Sequence, residues 1–147
     1  MKQLAIICAL LVVPWIVASA MGAGVEWAGG FGLALVFGFT GLGHFVKTDT
    51  MTEMLPRSIP GRRALILASG IFELLLAILL LAWPKSPLLG LTIIGFLIVI
   101  FPANVYAALQ RIPFGGHSAG PIYLFLRAPV QLLLILWTYG FVVKGEG

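Results

Sequence analysis

Charged side chains are scarce, making up 10% of the 147 residues where a soluble domain carries about 25%. A chain this poor in charge can neither solvate a globular surface nor hold itself open as a disordered tail, which excludes a soluble enzyme and a disordered segment. Cysteine is scarcer still. With Cys8 alone there is no intrachain disulfide, no CxxC redox pair and no cysteine-rich zinc or iron–sulfur site. Histidine occurs at His44 and His117 only, and the second lies in a glycine-rich stretch, which argues against a bis-histidine haem and gives no reason to expect a metal centre. No HExxH, GxSxG, P-loop or dinucleotide-binding glycine motif occurs in a suitable context, and no nucleophilic triad is visible. Any redox electrons must therefore sit on a bound molecule or a partner.

Apolar residues are what the chain has, at 61% with a mean hydropathy of +1.10. Five apolar stretches, residues 4–21, 28–46, 64–83, 88–109 and 122–143, are 18 to 22 residues long. Crossing about 30 Å of hydrocarbon takes about 20 helical residues, so each can span a bilayer once. Runs such as 74–81 lack the polar alternation of a membrane barrel. The expected fold is an all-α integral membrane helical bundle, one domain over 1–147. Residues 4–21 also resemble a cleavable secretory signal, with Lys2 ahead of the run and Ala18-Ser19-Ala20 at its end, but Pro14, Trp15 and the full span length favour an uncleaved helix.

The formal net charge is +4, and its nine Lys and Arg are spread over loops, which gives no basic face for nucleic acid and instead reports topology. Lys2, Lys47, Arg57, Arg62, Arg63 and Arg111 fall on one side of the five spans, against Lys85 and Lys144 on the other. The positive-inside rule then places the N-terminus in the cytoplasm and the C-terminus outside. Trp27, Trp83, Trp137 and Tyr139 are expected at the outer interface and Tyr106 and Tyr123 at the inner one. The 47–63 connection contains Pro56 and Pro60 with Met51, Met54, Leu55 and Ile59, which suggests a short interfacial amphipathic segment between proline breaks. The 111–121 connection, rich in glycine, reads as a flexible, non-helical loop over the cytoplasmic mouth.

Polar residues inside spans carry most information, because each is costly unless it meets a partner or a wet cavity. Glu73 lies ten residues past Arg63, about 15 Å deep. Arg127 and Gln131 are one turn apart on one helical face, Asn104 follows Pro102, and His44 ends the Gly38-Gly41-His44 series. Ser69 accompanies Glu73 on its face, and Pro102 frees a carbonyl near Leu97 or Ile98. All of these lie in the cytoplasmic half, while Thr92 and Thr138 beyond it can bond to their own helices. That asymmetry argues for a pocket opening to the cytoplasm or inner leaflet; a transporter needs polar groups on both sides. Glu73 with Arg127 reads either as a structural ion pair or as a ligand or proton site, Asn104 and Gln131 as interhelical glue or ligand contacts, His44 as a helix-end hydrogen-bonder or proton relay, and His117 as a loop residue.

Gly41-Leu42-Gly43-His44-Phe45, Met54-Leu55-Pro56 with Ile59-Pro60, Ser69-Gly70-Ile71-Phe72-Glu73-Leu74, Phe101-Pro102-Ala103-Asn104 and Leu126-Arg127-Ala128-Pro129-Val130-Gln131 follow one another in an order that resembles the DoxX-like family of small bacterial membrane proteins. The resemblance covers roughly residues 38–135. It implies a four-helix membrane core made by the last four spans, a link to membrane oxidoreductase systems, and functional weight on His44, Glu73, Asn104, Arg127 and Gln131. The leading expectation is a membrane subunit of a redox-linked system that binds a quinone-like or other amphipathic ligand in a cytoplasm-facing pocket, beside an oxidoreductase partner subunit or a second copy of itself. The rival is a non-catalytic scaffold or assembly factor, with a proton-coupled transporter third. Whether the protein is an enzyme stays open at this point.

Overall fold

Helix α1 covers Lys2–Ala20, α2 Val25–Val46, α3 Thr48–Thr52, α4 Arg62–Ala82, α5 Pro87–Leu109 and α6 Leu124–Thr138, in a computed structural model that describes residues 2–144. A 3-10 segment, His117–Tyr123, leads into α6 and a π-turn segment, Tyr139–Val143, continues it. Met1 and residues 145–147, the extremities of the expected single domain, lie outside the described residues. Among the described residues all regular structure is helical. Five of the helical stretches, with His117–Val143 taken as one, are long and apolar enough to cross a membrane.

The long helices run alternately up and down, which gives the bundle two ends. The proximal end gathers the starts of α1, α4 and α6 and the finishes of α2 and α5; the distal end gathers the others. Helix α2 is the hub, packed on α1, α4 and the end of the last span, because its glycines let backbones approach. A side chain at Gly32 would collide with the Leu11 carbonyl of α1. At the α2–α4 crossing, a methyl at Gly70 would sit 2.6 Å from His44 Cβ and 3.1 Å from the Gly41 carbonyl. This close crossing sets His44 of α2 beside the face of α4 that carries Glu73.

Leu11, Leu33, Leu76, Leu80 and Ile93 are fully enclosed in the centre. Outward, Val46, Leu88, Val99 and Phe125 are mostly exposed. An apolar exterior around an apolar core is compatible with a lipid bilayer, where helices satisfy their backbones internally. The turn into α5 is well capped: Ser86 Oγ accepts from Leu89 N at 3.3 Å and Pro87 occupies the first helical position.

The two connections at the proximal end are more ordered than the sequence suggests. Within 47–63, ahead of α4, the regular structure is the short helix α3, after which Arg62 Nη1 donates to the Thr52 and Leu55 carbonyls at 3.3 and 3.1 Å. Arg63 pairs with Asp49 on the surface. The expected non-helical loop at 111–121 is corrected: its second half is 3-10, broken at Gly120, where φ is 77° and ψ −155°. A 3-10 turn needs only i to i+3 bonds, such as Ala119 N to Gly116 O at 3.0 Å, and positive φ at Gly115 and Gly116 folds the segment back over the bundle.

Two of the aromatics expected at the interfaces pack against the bundle, Tyr123 buried and Trp137 half-buried. Trp137 Nε1 donates to the Gly29 carbonyl at 3.0 Å while its ring meets Trp15 edge-on at 5.6 Å and Phe141 at 4.9 Å. These rings are apolar enough to serve as bundle packing once their polar handle finds a partner or a wet cavity.

Candidate functional site

A cavity of about 620 Å³ occupies the proximal end. Its walls come from the start of α1 (Gln3, Leu4, Ile7), the last turns of α2 (Thr40, His44), the first turns of α4 (Ile66, Ser69, Glu73), the last turns of α5 (Ile100, Asn104), the 3-10 segment (His117, Tyr123) and α6 (Arg127). Most of the lining is aliphatic or aromatic, and the volume falls within the roughly 300–1,000 Å³ typical of small-molecule sites. Helix α4 packs heavily on α2 but only lightly on α5, so the cavity occupies the space where α4 and α5 diverge.

The structure brings four of the five sequence-predicted residues, His44, Glu73, Asn104 and Arg127, to this one cavity. Glu73 Oε1 faces His44 Nε2 at 3.4 Å, and among the described residues the Arg127 guanidinium has no carboxylate within 4.0 Å. Arg127 instead donates from Nε to Asn104 Oδ1 at 3.3 Å, and Asn104 Nδ2 donates to the Ile100 carbonyl at 3.1 Å. Of the two readings open for Glu73 with Arg127, the direct ion pair is absent among the described residues, where Glu73 pairs with His44 and Arg127 bonds to Asn104. The close α2–α4 crossing at Gly41 and Gly70 decides this, because it delivers an imidazole to the carboxylate first.

Gln131 lies apart from the cavity wall. Its Nε2 donates to the Leu97 carbonyl at 2.5 Å, in the stretch where Pro102 withholds a backbone donor. Ser69 and Thr138 bond to carbonyls of their own helices, at 2.8 and 2.7 Å. His117, read from the sequence as a loop residue, is a further wall residue. It is 3% exposed, its Nδ1 donates to the Phe114 carbonyl at 2.6 Å, and its ring meets Tyr123 edge-on at 4.7 Å.

Proton placement follows from these contacts. A carbonyl only accepts, so His44 Nδ1, 2.8 Å from the Ile66 carbonyl, carries a proton. Its Nε2 contact with Glu73 then requires either an imidazolium beside a carboxylate or a neutral imidazole beside a carboxylic acid. Both arrangements have zero net charge. The pair can pass a proton between its members, and Arg127 is left as the buried charge of the cavity without a charged partner among the described residues, while Lys47, also on the wall, is exposed. Three buried wall atoms have no hydrogen-bond partner among the described residues: Glu73 Oε2, His117 Nε2 and Arg127 Nη1. Burying an ion without a partner costs several kcal/mol, so such atoms in one cavity call for water or a bound group to complete their bonding.

Residues 33–142 match the model of a family described as Domain of unknown function (DUF8561). The chain belongs to that family. The DUF8561 match contains His44, Glu73, Asn104, His117, Arg127 and Gln131 and begins after α1, so the wall supplied by Gln3, Leu4 and Ile7 comes from outside the matched region. No curated protein and no solved structure matches the chain.

Proposed function

We propose that the chain is a small DoxX-like integral membrane protein, a membrane subunit of a redox-linked system, whose proximal cavity takes a quinone-like or other amphipathic ligand. The supporting observation is the presence of three unpartnered buried polar atoms, two of them on ionisable carboxylate and guanidinium groups, in one largely apolar cavity. An amphipathic molecule suits both halves of that description. For a quinone-like head, Arg127 stabilises developing negative charge on one oxygen, and the Glu73–His44 pair supplies or accepts a proton without changing its own net charge. In this reading five helices span the bacterial plasma membrane, with the proximal end and its basic residues in the cytoplasm.

The test starts from the full chain in neutral detergent, with decylubiquinone as the probe. Saturable one-to-one binding is expected, weakened about tenfold or more by Glu73→Gln and by Arg127→Ala. Binding unchanged in both variants overturns the site assignment. For orientation, single cysteines at Ser58→Cys and Lys144→Cys in a Cys8→Ser background are exposed to an impermeant maleimide on intact cells. Labelling at position 144 alone is expected, and labelling at position 58 alone reverses the topology.

One set of observations favours a second reading, a non-catalytic scaffold. Arg127–Asn104, Gln131–Leu97 and Trp137–Gly29 are all bonds between helices, as polar glue requires. In that case Glu73→Gln lowers thermal stability while cellular function survives in whatever protein remains.

A further inference from the structure

Arg127 is 8% exposed, yet its only hydrogen bond is the one from Nε to the neutral Asn104 amide, and Nη1 has no partner among the described residues. Glu73 does not answer that charge, because it belongs to the net-neutral pair with His44. His117 and Tyr123 line the same cavity as Arg127, and His117 Nε2 is a second unpartnered atom among the described residues, on a side chain 97% buried. The cavity therefore holds one buried positive charge and, on the same wall, an unpartnered imidazole nitrogen.

We infer that the cavity takes an amphiphile with an anionic phosphomonoester head, seated on Arg127 Nη1 and His117 Nε2, with its acyl tail along the apolar wall and out between α4 and α5. This rests on the part of the proposed function that makes the cavity an amphiphile site and adds the charge of the head group. An anionic oxygen on Nη1 converts the unpaired guanidinium into a charge-assisted pair. Because His117 Nδ1 gives its proton to the Phe114 carbonyl, a neutral His117 presents a lone pair at Nε2 and asks for a donor. A phosphomonoester monoanion has both an anionic oxygen and an O–H on one phosphorus; a carboxylate has only the first. The tail finds Ile7, Phe37, Ile66 and Ile100 inside the cavity. Leu65 and Val99, at its rim, are exposed on the outer surface of the bundle, so the apolar lining runs continuously to the outside.

The experiment is native mass spectrometry of the full chain released from neutral detergent micelles and titrated separately with dioleoylphosphatidic acid, oleate, methyl oleate, inorganic phosphate and decylubiquinone. The expected result is one phosphatidic acid per chain, held at least about tenfold more tightly than methyl oleate, with oleate between them and no adduct with phosphate alone. Arg127→Gln is expected to abolish the preference for charged over uncharged head groups, and Lys144→Gln to leave it intact. Equal binding of phosphatidic acid, oleate and methyl oleate by the unmodified chain overturns the inference without needing any variant to fold. Phosphate held as tightly as the lipids overturns the tail, and oleate held more tightly than phosphatidic acid overturns the phosphomonoester head. If decylubiquinone binds while the charged and uncharged lipids are not distinguished, this inference falls and the quinone-like reading stands. The converse pattern keeps the anionic head and removes the quinone.

Discussion

At the distal end Glu26 is paired with Lys85, Trp137 donates to Gly29 and Thr138 returns its hydroxyl to Leu134, whereas at the proximal end Arg127, Glu73 and His117 each keep a buried polar atom with no partner among the described residues. The distal end also leaves Trp15 Nε1 and Ser19 Oγ, one turn apart on α1, unpartnered, but both are neutral, as is the unpartnered Gln131 Oε1 outside the cavity wall. Both ends are hollow, but the distal groove, lined by Val13, Val17, Trp27 and Phe31 among others, is apolar, whereas the proximal cavity carries buried ionisable groups. Sealing the proximal end was within reach of the same chemistry, because an acid at the position of Asn104 would have answered Arg127. An unanswered charge is costly in an apolar setting, and the difference between the ends locates where a ligand is expected.

The contrast breaks most severely at the crossing that assembles the proximal end. Gly70→Leu drives a side chain into His44 and the Gly41 carbonyl and is expected to destabilise the protein by about 3 kcal/mol, read as a fall in thermal midpoint in detergent. Gly95→Leu, on α5 with open space around it, is expected to stay within about 0.5 kcal/mol of the unaltered chain. Next in size is Glu73→Gln, which keeps shape and hydrogen bonding. It is expected to cost about tenfold in decylubiquinone affinity while the thermal midpoint changes little. A large fall in midpoint with affinity retained would place Glu73 among the structural contacts.

Gln131→Leu sharpens the comparison within the proximal half. Removing the bond to the Leu97 carbonyl is expected to cost about 0.6 to 1.7 kcal/mol of stability and to leave ligand affinity unchanged, because Gln131 is outside the cavity wall. Smallest is Glu26→Gln at the distal end. Its pair with Lys85 is partly exposed, with side chains 41% and 24% accessible, so about 0–1 kcal/mol is expected, shrinking further as salt is added.

The five apolar helices and the cavity residues His44, Glu73, Asn104 and Arg127 were readable because hydropathy gives span length, and distance from a basic loop gives depth. Depth alone does not say which helices are neighbours or how each is rotated, so the sequence left Glu73 with Arg127 open between an ion pair and a ligand site and did not reveal His44 as the partner of Glu73. The Gly41 and Gly70 pair is the signal that could have revealed it, since two glycines at matching depth invite a crossing that carries His44 to Glu73. His117 was missed because a glycine-rich stretch reads as loop. Its burial depends on positive φ at Gly115, Gly116 and Gly120, which bends the segment back so that the imidazole meets Tyr123. Gln131 was at the right depth but faced Leu97, a carbonyl close to those Pro102 disturbs.

The most direct test is a high-resolution map of the full chain purified gently in lipid nanodiscs. The account predicts ordered density in the proximal cavity touching Arg127 Nη1, with Glu73 still on His44. A map in which the Arg127 guanidinium contacts the Glu73 carboxylate directly, with nothing between them, would contradict it.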